Sequence, residues 1–257
     1  SEIMKIFIII SLAKFFDEKK IQEPRDYLFL ILPIILVLIP FSLILSQPDL
    51  GTAMLILFVS IIIFFISGIN WKFFAFFGIL GLIVAPYLWG ALKEYQKQRI
   101  LTLFNPENDP LGSGYHIIQS QIAIGSGGVY GKGYGNGAQS HLDFIPESHT
   151  DFIVAVLAEE FGFIGMLLLL TVYFLIILRC LYISVTAQDS FSRLVAGALT
   201  MTFFIYIFVN IGMVSGLLPV VGVPLPLISY GGTSSVTLMA AFGVLMSIHT
   251  HRRMITA

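Results

Sequence analysis

Asp151–Ile183 reads DFIVAVLAEEFGFIGMLLLLTVYFLIILRCLYI. Its second part, Phe163–Ile183, is a hydrophobic run long enough to span a bilayer as a helix, for which roughly 20 apolar residues suffice. Its first part opens a helical run, Val154 to Phe161, directly after the polar segment Ile145-Pro146-Glu147-Ser148-His149-Thr150. As one helix, Asp151 to Arg179 would measure about 42 Å against a hydrocarbon core of about 30 Å. Gly162-Phe163-Ile164-Gly165 offers a break. The expectation is an interfacial or partly re-entrant helix over Thr150–Phe161, a true span over Phe163–Ile183, and Asp151 held where loop, water and membrane surface meet. A carboxylate there is partly desolvated without being lost in hydrocarbon, which tunes a catalytic base. A helix cap explains the same residues, because Thr150 and Asp151 both suit an N-cap. On this stretch alone the cap is the simpler reading.

Working outward, the rest of the chain is of the same kind. Of its 257 residues 57% are hydrophobic and 11% charged, and the mean hydropathy is +0.91. Soluble domains carry about 25% charge. The composition therefore predicts an all-α fold, a polytopic membrane helical bundle. Runs bounded by charge or by Pro and Gly give about seven spans: Ile3–Phe16, Leu28–Leu45, Thr52–Gly68, Phe73–Leu92, Phe163–Ile183, Phe191–Leu218 and Leu227–His249. No nucleic acid partner is expected: the net charge of −1 says nothing on the point, and no basic run is long enough to suggest one. The single cysteine, Cys180, permits neither an intramolecular disulfide nor a cysteine metal site.

Basic residues set the orientation. One side collects nine of the 14, Lys14, Lys19, Lys20, Arg25, Lys72, Arg179, Arg193, Arg252 and Arg253; the other collects five, Lys5, Lys93, Lys97, Arg99 and Lys132. The C-terminus is thus expected in the cytoplasm, and 93–151 forms a long external loop carrying interfacial helices, within a single transmembrane domain over 1–257. Ser1–Phe16 lacks the basic start and cleavage motif of a signal peptide, and it reads as the inside of a longer protein. Seven spans put Ser1 outside, so an odd number of helices is expected upstream if the complete protein starts in the cytoplasm.

Several motifs carry two readings. The glycine-rich stretch 125–137 is not a phosphate loop, since Ser126 stands where that motif needs glycine and Gly133 follows Lys132. A flexible loop with close backbone packing is the better reading; backbone N–H groups facing an anionic lipid headgroup are the weaker one. Tyr115 to Ile124 is an apolar helical piece within the same loop. Glu159 and Glu160 lie at about 80° and 180° around a helix from Asp151, so at least one points into protein, either as a functional group or as half of an ion pair. Glu2 and Lys5 can pair on one helix face, or Lys5 faces a headgroup cavity. Lys93, Lys97 and Arg99 are explained by snorkelling and equally by a bound diphosphate. His116, His141 and His149 show no zinc spacing. In Asn210–Ser234, Pro219, Pro224 and Pro226 break a helix that Ser229-Tyr230-Gly231-Gly232 reopens. Non-helical backbone at that depth must be buried or line a cavity, so this is a structured external turn beside a polar pocket.

Taken together, these residues resemble the SEDS family (shape, elongation, division and sporulation), the RodA/FtsW/SpoVE proteins of bacterial cell-wall synthesis. Gln47-Pro48-Asp49-Leu50-Gly51-Thr52, Tyr95-Gln96-Lys97-Gln98-Arg99-Ile100, Pro146-Glu147-Ser148-His149-Thr150-Asp151-Phe152 and Asn210–Ser234 carry the resemblance over nearly the whole chain. Ala138-Gln139-Ser140 and Leu157-Ala158-Glu159-Glu160 look like the elongation member, RodA, rather than FtsW. The family usually has ten membrane helices, and Ser1-Glu2-x-x-Lys5 resembles the start of the fourth, so about three are expected upstream.

The resemblance implies a peptidoglycan glycosyltransferase that polymerises lipid II at the outer face of the cytoplasmic membrane, for cell elongation and shape, and releases undecaprenyl diphosphate. The family's catalytic aspartate falls on Asp151. Glu2, Lys5, Asp49, Lys97, Arg99, Glu159 and Ser229 are the substrate-binding candidates, with Lys5, Lys97 and Arg99 facing the leaving diphosphate. No residue set reads as a protein metal site; a divalent cation, Mg²⁺ or Mn²⁺, has a place if it comes with the diphosphate. No organic cofactor is implied. The implied partners are lipid II, a class B penicillin-binding protein and other elongation-complex membrane proteins. A lipid II flippase and a non-catalytic membrane partner of a penicillin-binding protein are the competing readings. A flippase needs the same cavity but no base, and the structural partner needs no polar cavity.

Overall fold

The computed structural model describes residues 2–18, 27–47, 49–91, 93–109, 112–137 and 149–254. Among these it holds nine α-helices and no strand. They are α1 (Glu2–Glu18), α2 (Ile31–Ser46), α3 (Leu50–Ile66), α4 (Trp71–Ala91), α5 (Glu94–Phe104), α6 (Ser113–Gly127), α7 (Ile153–Val185), α8 (Ser190–Val214) and α9 (Gly232–Met254). The all-α expectation holds. Three of them, α7, α8 and the Gly232–His251 part of α9, are long and apolar enough to cross a membrane; α2, α3 and Trp71–Tyr87 of α4 are apolar but shorter. Lys19, Lys20, Arg25, Pro48, Ala138–Ser148 and His141 within it lie outside the described residues.

The ends of the expected segments move for local reasons. α8 stops at Val214, short of Leu218, because Gly216 turns left-handed (φ 75°). The Leu217 N–H then reaches the Gly212 carbonyl at 2.8 Å and the Gly216 N–H the Met213 carbonyl at 3.1 Å, the two bonds of a Schellman ending. α9 starts at Gly232 rather than Leu227. Pro224 and Pro226 fix φ and remove two donors from that stretch, and Leu227 is left with φ 68°.

Two compact units divide the chain. One comprises 1–92, 177–203 and 236–257; the other comprises 93–176 and 204–235. In the first, α1 presents Ile9, Leu12, Ala13 and Phe16 and α3 presents Ala53, Ile56, Val59, Ile63 and Phe64, all buried. Phe16 and Phe64 meet edge to face at 5.4 Å, an arrangement aromatic rings prefer. The first half of α8 adds a run of small buried residues, Ala196, Ala198 and Thr200. α4 turns most of its apolar surface outward, including Phe76, Ile79, Leu82 and Ile83. A helix apolar on its exposed faces belongs in lipid.

The second unit contains the feature that decides its geometry. α7 is interrupted at Gly162, whose φ 63° and ψ −162° are not helical, so the break expected at this glycine is present. An unbroken helix would bond the N–H of Phe163 to the carbonyl of Glu159, and that of Ile164 to Glu160. The glycine-rich loop takes both bonds over at both ends. Lys132 and Gly133 donate to the Glu159 and Glu160 carbonyls, each at 3.0 Å, while Phe163 and Ile164 donate to the carbonyls of Gly128 (2.9 Å) and Val129 (3.1 Å). The Glu159 and Glu160 carbonyls and the Phe163 and Ile164 amides thus all find partners across the break, as burial in a membrane protein requires. Glycine is needed because a Cβ at Gly131 would strike the Glu160 carbonyl and one at Gly162 the backbone of Gly131. Close packing is therefore the correct reading of the loop. The amides of Lys132 and Gly133 are spent on α7 and are not offered to a lipid headgroup.

Candidate functional site

Asp151 stands in a turn two residues before α7 begins. Three bonds hold that turn by its backbone. The Asn210 side-chain amide, from the last turns of α8, donates to the Asp151 carbonyl at 2.9 Å. The Ser229 hydroxyl donates to the Thr150 carbonyl, and the Tyr230 N–H donates to the His149 carbonyl at 2.9 Å. The partners on the far side are themselves fixed. Asn210 spends its second N–H on the Val223 carbonyl at 2.7 Å, Ser229 accepts the Leu225 N–H at 2.8 Å, and the Tyr173 hydroxyl of α7 donates to the Pro226 carbonyl at 2.6 Å. A loop of three prolines lacks three donors of its own; Asn210 and Tyr173 anchor it from the flanking helices, and Ser229 from within.

The Asp151 carboxylate faces Gly222. A Cβ at that glycine would lie 3.3 Å from Asp151 Oδ2, and its φ is 70°, so a side chain there would be strained and would crowd the carboxylate. Beside the turn an open cavity of about 640 Å³ is lined by His149, Ile153, Ile228, Ser229, Tyr230, Gly231, Gly232 and Ser235. His149 and Ile153 flank Asp151 in the chain.

The other candidates of this unit are placed as follows. Glu159 is fully buried and forms an ion pair with Lys132 at 2.7 Å. Glu160, also buried, accepts the Gly135 N–H at 3.1 Å. The ion-pair reading is present at Glu159, which locks the glycine-rich loop onto α7. On α5, Lys97 pairs with Glu94 at 2.9 Å and keeps only 22% of its side chain exposed; Arg99 is half-buried one residue beyond Gln98. In the first unit, Glu2 and Lys5 pair at 2.6 Å with Lys5 almost fully buried. A lysine so placed needs a partner, since an isolated buried ammonium is costly. Asp49 caps α3, its Oδ1 accepting the Thr52 N–H at 3.0 Å. The eight candidates thus fall into two groups: Asp151, Lys97, Arg99, Glu159 and Ser229 in one unit, Glu2, Lys5 and Asp49 in the other.

Three residues that matter here were not among the candidates. Asn210 could have been found as an amide set in the apolar run Ile205–Ile211, because polar groups inside membrane helices are rarely idle. Gly222 has no signal beyond its place between prolines. Lys132 was read with its glycines, and nothing in its spacing points to Glu159.

A family model described as "Cell cycle protein", FtsW/RodA/SpoVE, matches residues 1–254. The chain belongs to the FtsW/RodA/SpoVE family. Among FtsW/RodA/SpoVE relatives, peptidoglycan glycosyltransferase MrdB of Escherichia coli is 50% identical over 257 residues, covering 100% of this chain and 69% of its own. A solved chain of a peptidoglycan synthase complex, described by its coordination of polymerization and crosslinking, superimposes with a TM-score of 0.79. It is 31% identical, over 97% of this chain and 69% of that one. The rod shape determining protein RodA of Thermus thermophilus matches with a TM-score of 0.65 and 28% identity, over 97% of this chain and 64% of its own. This FtsW/RodA/SpoVE chain is an integral membrane protein, most similar to the RodA type.

Proposed function

We propose that the chain is a peptidoglycan glycosyltransferase that polymerises lipid II at the outer face of the bacterial cytoplasmic membrane, with Asp151 as general base. The observation that carries this reading is the carboxylate turn: three hydrogen bonds to its backbone carbonyls fix it beside an open cavity at the mouth of α7. The name of the Escherichia coli relative supports it. Asp151 takes the proton of the acceptor sugar hydroxyl as that oxygen attacks the anomeric carbon of the donor. The bond from that carbon to the diphosphate breaks, and undecaprenyl diphosphate leaves with the electron pair. General base help of this kind contributes about 10²–10⁴-fold.

The leaving diphosphate needs cations aimed at its oxygens, and Lys5, Lys97 and Arg99 take that role, with Glu2 orienting Lys5. Asp49 acts from the cap of α3. Glu159 acts at one remove, through the loop that Lys132 ties to α7. Among the described residues no three His, Cys, Asp or Glu side chains converge. These donors suit Mg²⁺ or Mn²⁺ held mainly by diphosphate oxygens and water rather than by a protein cage, where the ion would supply charge neutralisation. The assembly partner is a class B penicillin-binding protein that crosslinks the new glycan, alongside other elongation-complex proteins. The structural neighbour that belongs to a synthase complex supports this.

Asp151→Asn in the full-length protein tests the reading. Folded mutant that binds lipid II but polymerises it at least about 10²-fold more slowly is the expected result. Near-normal polymerisation would exclude the base. A flippase would keep moving lipid II across the membrane in that mutant, because transport needs no base.

A further inference from the structure

We infer that Asn210, with Ser229 as its second point of attachment, is a positioning residue for Asp151; this rests on the general-base reading above. Asn210 is completely buried, in a helix whose neighbouring side chains are apolar. A buried amide is tolerated only when its donors find acceptors. Both of its N–H groups do, and neither acceptor belongs to α8. One is the carbonyl of Asp151 itself, 59 positions away in sequence, and the other is the Val223 carbonyl. The nitrogen must face these groups, because the amide oxygen turned toward two carbonyl oxygens would be repelled.

The two bonds act on two sides of the same carboxylate. The first fixes the backbone from which the Asp151 side chain departs. The second fixes the carbonyl of Val223, next to Gly222, where a Cβ would lie 3.3 Å from Asp151 Oδ2. One amide therefore sets both the origin of the carboxylate and the wall it rests on. Ser229 repeats the logic one residue upstream: it joins the Thr150 carbonyl to the Leu225 N–H with a single hydroxyl. Its oxygen is already engaged on both counts, which suits a brace better than a contact with substrate. Neither residue needs to touch a reacting atom. Their effect is the placement of one that does, and misplacement by about 1 Å can cost about 10²-fold in rate.

The test uses the full-length protein in membranes, with lipid II as the probe, and compares Asn210→Asp, Asn210→Ala, Ser229→Ala and Asp151→Asn. Asn210→Asp keeps the shape and loses at least one of the two donors, and Asn210→Ala loses both. The expected result is folded protein with kcat down about 10- to 100-fold and KM for lipid II changed less than about threefold. Ser229→Ala is expected to lower kcat in the same way by a smaller factor. Unchanged kcat in folded Asn210 variants would overturn the inference, and so would a rise in KM at constant kcat, which would make Asn210 a binding residue. If neither Asn210 variant folds, Ser229→Ala decides alone: a lowered kcat at constant KM supports the brace, and a wild-type kcat refutes it. Asp151→Asn separates the two levels. Activity in that variant removes the base reading and the inference with it. An inactive Asp151→Asn beside fully active Asn210 variants removes the inference only.

Discussion

At the scale of single residues, the Lys132–Glu159 pair is the most exacting interaction in the second unit. Glu159 has no exposure of its own, so its charge depends on Lys132 at 2.7 Å. Removing one partner of a fully buried pair costs about 3–5 kcal/mol. Since 32% of the Lys132 side chain reaches its surroundings, screening lowers the expected cost of Lys132→Ala to about 2 kcal/mol. Adding Glu159→Gln removes the stranded charge and should restore at least about half of that loss. Thermal unfolding of the purified single and double variants checks both statements. Equal melting temperatures for wild type and Lys132→Ala would show that the pair contributes nothing.

At the scale of elements, the docked loop and the broken helix form one object. Gly162→Ala puts a side chain at φ 63° and drives its Cβ into the backbone of Gly131 and Val129. With ψ at −162° this backbone conformation is essentially confined to glycine and costs another residue about 1–3 kcal/mol, and the collision undocks the loop. Hydrogen exchange should therefore show the amides of Lys132, Gly133, Phe163 and Ile164 losing protection together, while those in the middle of α3 keep theirs. Protection lost at one pair and kept at the other would mean that the loop does not dock as a unit. The break itself was legible in the sequence, because a helix from Asp151 to Arg179 is too long for the bilayer and carries two glycines where it must bend. Its partner was not. A loop that bonds through N–H and C=O leaves no residue-type pattern, and glycine announces close approach without saying to what. The same holds for the site. Asp151 was found from its place between loop and span and from a motif, whereas the clasp that fixes it runs through carbonyls of His149, Thr150 and Asp151, which every sequence possesses.

At the scale of the whole molecule, the hydrophobic runs were readable because lipid demands length and uniform apolarity, and each run became a helix. Their ends were less so: Gly216 and the Pro224–Leu227 bend shortened two of them by several residues. From the nine-to-five division of Lys and Arg, the expected orientation has His249–Ala257 in the cytoplasm and the Lys93–Asp151 region outside. With Cys180 replaced by alanine, a cysteine at Tyr134, whose side chain is 84% exposed, should react with a membrane-impermeant maleimide added to intact spheroplasts, and a cysteine at Arg253 should not. The reverse pattern would invert the topology and remove Asp151 from the face where it is proposed to work.

The exchange of bonds at Gly162 also sets an order on biogenesis. The ribosome makes the glycine-rich stretch before the helix it completes. When the segment around Gly162 leaves the translocon, the groups that must satisfy its open carbonyls and amides have already been synthesised and await it on the same chain. The break can be sealed as soon as it appears, with no later segment required.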